Sequence, residues 1–180
     1  VSASPSSLVA GFDRRIDAAF SRLRGHPTAD RVLYSLSEVG DFSLVWHIAA
    51  AAIAATGDAR AERRALRLSA GLLVESALVN GVLKSLTRRA RPIADEVRPH
   101  RLRQPRTSSF PSGHASAAAC AAVLLTDGAG PTETALWWTL AALVAASRVH
   151  VRIHHPSDVV AGAAVGASLG TVIRTRWPLR

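Results

Sequence analysis

Apolar residues gather along this chain in five blocks: Phe42 to Thr56, Leu66 to Leu83, Ala115 to Thr126, Thr134 to Val149 and Val159 to Ile173. Each approaches, and few reach, the roughly 20 residues with which a helix crosses a bilayer. Trp46, Trp137, Trp138 and Trp177 stand near block ends, where indoles favour the head-group level. Gly162, Gly166 and Gly170 repeat at four-residue intervals, a small-residue pattern that lets helices approach closely in lipid. About five membrane helices are expected; an Ala-rich soluble bundle is the alternative on block length. Ahead of the blocks, Phe12, Ile16, Ala19, Phe20 and Leu23 recur at helical intervals with arginines between them. That pattern predicts an amphipathic helix lying on a membrane surface or packed on the bundle. A turn at His26-Pro27 precedes a second short helix over Thr28 to Ser37, while Val1 to Ser7 reads as a disordered tail. The chain thus divides into 1–40, a tail with amphipathic helices, and 41–180, a membrane-embedded domain.

Composition changes this picture little. At 180 residues the chain has room for one sizeable core, and with 48% apolar but only 5% aromatic residues the interior is built from Ala, Val and Leu, which favours an all-α fold. The net charge of +9 raises nucleic acid as a partner. The arginines, however, sit at the ends of apolar segments and no aromatic residues interleave with them, so anionic lipid head groups of the bilayer are the better partner and nucleic acid is not expected. One cysteine, Cys120, excludes an intrachain disulfide and a thiolate zinc site; on its Ala-rich run it reads as a small buried residue.

Chemistry concentrates between Lys84 and Asp158. Lys84, Arg91 and Arg148 offer three cations from separate segments, as neutralisation of a phosphoryl group requires. Pro111-Ser112-Gly113-His114 opens an apolar helix, whose first N–H groups, at Ser112 and Gly113, can point at an anion. Ser112 can add its hydroxyl. His114 and His154 make the acid and nucleophile pair of a covalent mechanism, and Asp158, one turn after His154, is placed to orient it.

Lys84 followed at a fixed distance by Arg91-Pro92, the tetrapeptide at 111–114, and Ser147-Arg148 leading to His154 and then Asp158 resemble the signature of the type 2 phosphatidic acid phosphatase superfamily, which also contains vanadium haloperoxidases. The resemblance implies a membrane helical bundle with a haloperoxidase-like core. It makes His154 the nucleophile that becomes phosphorylated, Asp158 its orienting partner and His114 the proton donor to the leaving oxygen. Lys84, Arg91, Ser112, Gly113 and Arg148 would bind the phosphate, and no metal or other cofactor is implied. The expected activity is hydrolysis of a lipid phosphate or diphosphate: a polyprenyl (di)phosphate, phosphatidic acid or phosphatidylglycerol phosphate. A vanadate-dependent haloperoxidase and a non-enzymatic lipid-binding protein are the rivals. A bacterial-type plasma membrane is the expected location; charge alone turns the site towards the cytoplasm, whereas the resemblance turns it outward.

Several residues stand outside this signature. His150 and His155 adjoin it at the wrong spacing, and His47 and His100 are taken as structural. Glu75 and Asn80 lie inside the second block and must face the bundle interior; Asn80, one turn before Lys84, can orient it, and Glu75 is expected to pair with a basic residue of a neighbouring helix. The link from Ile93 to Phe110, with Arg98, Arg101, Arg103 and Arg106, is expected to lie over the pocket as a basic loop.

Overall fold

Each apolar block folds as a helix in a computed structural model that describes residues 5–93, 102 and 105–179. In chain order these are α1 (Pro5–Ser21), α2 (Pro27–Val39), a 3-10 turn at Asp41–Ser43, α3 (Leu44–Ala54), α4 (Ala59–Ser76), α5 (Gly113–Leu125), α6 (Pro131–His150) and α7 (Pro156–Arg176). α4 runs on as a π-helical segment, Ala77–Leu83. No strand occurs among the described residues. α4 begins well before the apolar block it contains, because Asp58 caps it by accepting the Arg60 N–H at 3.2 Å and its first turns are polar. α1 likewise begins earlier than expected: Pro5 to Ser7 are helical, and Val1 to Ser4 lie outside the described residues.

α5 is the helix around which the others pack. Every residue from Ala115 to Leu125 is buried, as suits a helix that is small and apolar all round. A helix leaves its last carbonyls without partners, and arginines from α4 meet those of α5. Arg67, fully buried, donates to the Leu124 carbonyl at 3.1 Å and to Asp127 at 2.7 Å, and Arg64 reaches the Leu125 carbonyl and Glu133. Arg24 serves α6 in the same way, donating to the Val149 and His150 carbonyls.

The glycine stripe of α7 is the seam against α5. A Cβ at Gly162 or Gly166 would collide with the Ser112 or Ser116 backbone, and one at Gly170 would stand 3.0 Å from the Cys120 carbonyl. The small-residue pattern is therefore used at this pair. Trp46 departs from its expected place: it is buried among Leu68, Leu72 and the alanines of α5, while Trp138 and Trp177 remain exposed.

By length and composition, α4 with its π-helical extension and α7 can each cross a membrane, and α2 with α3, bent by 68°, makes a third candidate. Ile48, Leu66, Leu73, Leu143, Val160 and Val172 face outward, as lipid contact requires. α5, with 13 residues, rises only about 20 Å. α1 lies against the bundle and buries Asp13 there, while Leu8, Val9 and Phe12 stay exposed on its outer side.

Candidate active site

At the α5 N-terminus a cavity of about 500 Å³ opens between the helix ends. Lys84, Gly113, His114, Arg148 and His154 all line it, so five of the eight expected site residues meet there. Three non-glycine residues with positive φ flank it: Phe42 (54°), Ser43 (59°) and Arg152 (51°). Such conformations are strained, by about 1 kcal/mol or more each, and they turn Asp41 and His154 towards the cavity.

His154 follows the end of α6 and is almost fully buried. Its Nε2 lies 3.3 Å from Arg91 Nη1. A guanidinium only donates, so Nε2 presents its lone pair and the ring hydrogen sits on Nδ1. Nδ1 has no hydrogen-bond partner and stands 3.7 Å from Asp158 Oδ2, longer than a hydrogen bond; such contacts often tighten only when substrate is bound. Burial, opposed by Asp158 and reinforced by Arg148, Arg91 and Lys84, pushes the imidazole down to about 3, which keeps it a neutral nucleophile at neutral pH.

Asp158 is fixed from both sides. Its Oδ2 accepts the His155 backbone N–H at 2.8 Å, closing a capping box at the start of α7, and its Oδ1 accepts from Arg89 Nη1 at 2.6 Å. Arg89 in turn pairs through Nη2 with Asp13 at 2.7 Å, and Asp13 accepts from the backbone N–H and hydroxyl of Ser157. A chain of contacts thus runs from α1 to the nucleophile.

His114, in the first turn of α5, faces the opposite wall. Its Nε2 lies 3.2 Å from the Ser37 carbonyl and 3.2 Å from Asp41 Oδ1. A carbonyl can only accept, so Nε2 carries the hydrogen and Nδ1 is left to exchange a proton. Gly40 makes room for this ring, since a Cβ there would meet it at 2.7 Å.

The cations are arranged unequally. Lys84 Nζ donates to Asn80 Oδ1 at 2.8 Å, the orientation expected from their spacing. A Cβ at Gly113 would stand 3.4 Å from Nζ, so glycine lets the ammonium approach the helix start. Burial, then Arg91 and Arg148, lowers Lys84 to about 8. Arg148 donates to the carbonyl and hydroxyl of Ser37, and its buried Nε has no partner. Arg91 is largely occupied: it donates to the carbonyls of Pro105, Thr107, Ser108 and Ile153, tying the returning loop to the His154 turn.

Ser112 differs from expectation. It is fully buried, its N–H donates to the Asp158 carbonyl at 2.9 Å and its hydroxyl oxygen accepts the Ala115 N–H, so the N–H is taken and Gly113 is the member of the pair that lines the cavity. His150 is held by Asp30 at 2.7 Å and His155 lies against the Ala90 carbonyl, consistent with their exclusion. His47, taken as structural, contacts Ser69 and also lines the cavity. Of the expected lid, Pro105, Arg106 and Thr107 line the cavity; Arg98, His100, Arg101 and Arg103 lie outside the described residues. Sequence reasoning missed Asp13, Ser37, Asp41 and Arg89. Among the described residues no group of three or more His, Cys, Asp or Glu side chains is gathered as metal ligands would be.

Comparison with known proteins places this geometry. Residues 64–180 match the model of the PAP2 superfamily. A decaprenylphosphoryl-5-phosphoribose phosphatase of Mycolicibacterium smegmatis is 35% identical over 153 residues, covering 84% of this chain and 81% of that protein. A protein of the same name from Mycobacterium tuberculosis is 33% identical over 77% of this chain and 75% of its own length. Among solved structures, Aquifex aeolicus LpxE superposes with a TM-score of 0.72 at 23% identity, over 89% of this chain and 93% of that one. A PAP2-type phosphatidylglycerolphosphate phosphatase from Bacillus subtilis gives 0.67 at 24% identity, over 94% and 86%. Both share the fold.

Proposed function

The chain belongs to the PAP2 superfamily and is a membrane lipid phosphatase; we propose that it works through a phosphohistidine on His154 and that its substrate is a polyprenyl-phosphoryl sugar phosphate. The observation that carries the mechanism is the unprotonated Nε2 of His154, beside the donor Arg91 in a cavity that His114 and two buried cations share; the Arg91 donor passes to phosphate as the lone pair attacks. In the first step Nε2 attacks phosphorus, the P–N bond forms as the P–O bond to the sugar breaks, and His114, which burial and Arg148 hold towards the neutral form in the free site and the charge of bound phosphate protonates, gives its proton to the leaving oxygen. Lys84 and Arg148, helped by Arg91, neutralise the equatorial oxygens. Water then attacks phosphorus, His114 takes its proton, and the P–N bond breaks to release inorganic phosphate and neutral His154. Asp158 stabilises the Nδ1–H throughout.

The substrate class is supported by the two mycobacterial relatives, whose similarity extends over three quarters or more of both chains. The test is phosphate release by the purified protein from a panel: a short-chain polyprenyl-phosphoryl-5-phosphoribose, a polyprenyl diphosphate, phosphatidic acid and phosphatidylglycerol phosphate. The sugar phosphate should have the highest kcat/KM; preference for another member would replace this substrate class and leave the mechanism standing.

A further inference from the structure

Glu75 has no part in the chemistry above, yet it is among the most buried charged residues of the molecule, 1% exposed, and lines the same cavity. The Ser116 hydroxyl of α5 stands beside its carboxyl, yet Oε1 is left without a hydrogen bond among the described residues. Among the described residues the expected ion pair with a neighbouring helix is not found, and Lys84, further along the same helical run, gives its ammonium to Asn80. A desolvated carboxyl with one oxygen unsatisfied is costly, and a native site that keeps one calls for an explanation such as a ligand that completes it.

The surroundings indicate which ligand. Ser76 and Asn80 continue the wall from Glu75 towards Lys84, with the Asn80 amide donating to the Ser76 hydroxyl at 3.1 Å, and His47 faces them from α3. Glu75 and Asn80 are separated by roughly 7 Å of helix axis, a distance that one sugar ring with its hydroxyls spans. The cavity of about 500 Å³ falls in the range of small-molecule sites, and a phosphate group alone leaves most of it unfilled. Lys84 at one end makes a cationic guest unfavourable, whereas hydroxyls pair with carboxylate, amide and hydroxyl alike.

We propose that Glu75, with Ser76 and His47, forms a head-group subsite that takes the hydroxyls of the sugar whose phosphate lies at His154. This rests on the lipid phosphatase reading and adds to it the residue that selects a sugar phosphate. Glu75 accepts one or two hydroxyl hydrogens and acts in specificity, not in bond breaking.

The experiment compares two substrates on full-length wild-type, Glu75→Leu and Glu75→Gln proteins in detergent: farnesyl-phosphoryl-5-phosphoribose and phosphatidic acid. The ratio of their kcat/KM values should fall at least tenfold in Glu75→Leu, mostly through KM for the sugar lipid, and by less in Glu75→Gln, which keeps an acceptor oxygen. Inhibition by ribose 5-phosphate should weaken about tenfold relative to inhibition by inorganic phosphate. A ratio that stays constant in both variants, or equal losses on both lipids, overturns the subsite; if Glu75→Leu does not fold, the near-isosteric Gln variant decides alone. A wild-type protein that hydrolyses both lipids equally well also overturns it while leaving the phosphatase reading intact. Hydrolysis of neither lipid would instead remove the reading on which it rests.

Discussion

His154 and His114 stand across one cavity and are held in opposite ways. His154 is oriented from its own neighbourhood, with Asp158 one helical turn away and Arg148 accepting its backbone N–H at 3.1 Å. His114 is oriented by residues that precede it by most of the chain: the Ser37 carbonyl at the end of α2 and Asp41 in the strained turn that follows. The same division holds behind the nucleophile, where α1 supplies Asp13 to the arginine that grips Asp158. Groups that react come from residues 84–158, and groups that hold them come largely from the helices before residue 64. The difference teaches that a signature of reacting groups can be complete in sequence while the frame that sets their tautomers is invisible in it.

This division can be broken from its reacting side first. His154→Ala should lower kcat by about 10⁴-fold or more, because the cavity's other imidazoles, His114 and His47, lack the Asp158 partner that steadies a phosphorylated ring; a phosphoenzyme trapped by acid quench from labelled substrate should vanish with it. His114→Ala should cost about 10²- to 10⁴-fold. A phosphoenzyme should still form there when the leaving group is p-nitrophenolate, which needs no proton. Arg89→Leu frees Asp158 Oδ1 and should reduce kcat by roughly 10- to 100-fold with little change in KM, the sign of a positioning loss. A large rise in KM would show instead that Arg89 binds substrate.

The frame should give smaller effects with a distinct pH signature. Asp41→Asn removes the charge beside His114 and should lower kcat about tenfold or less, with the acid needed for leaving-group protonation lost at lower pH than in wild type. Lys84, lowered from its ordinary value to about 8 by burial and then by Arg91 and Arg148, holds phosphate only while protonated. Its contribution to kcat/KM is therefore full below pH 8 and lost as pH rises through 8. Lys84→Arg should keep its charge and move that alkaline limb upward; an unmoved limb would assign it to another group.

The reacting groups were legible because phosphoryl chemistry needs few residue types and the helices fix their spacing. The helices were legible because each block is apolar over many turns. What was hidden has equally physical causes. Asp13, Ser37 and Asp41 are single polar residues in amphipathic stretches, where such residues ordinarily face water, and only the packing of α1 and α2 turns them inward. Arg89 sits in the run Arg88-Arg89-Ala90-Arg91, in which no spacing separates the one that reaches Asp158. The partner of the Ser112 N–H was hidden because a helix N-terminus offers several N–H groups, and the sequence does not say that the Asp158 carbonyl takes one of them. Trp46 lay at a block end, yet it is turned into the core while Phe42 and Leu44 ahead of it stay exposed.

The π-helical segment Ala77–Leu83 sets the angular phase of the first cation. Lys84 N–H reaches back five residues to the Val79 carbonyl at 3.1 Å, where an α-helix would reach four. Everything before Ala77 keeps the register that buries Leu68, Leu72 and Glu75, and everything after it is turned by the wider coil. Rewinding the same residues as an ordinary α-helix would swing Lys84 through roughly 100° of azimuth. The transmembrane face upstream would be untouched while the ammonium turned away from Gly113.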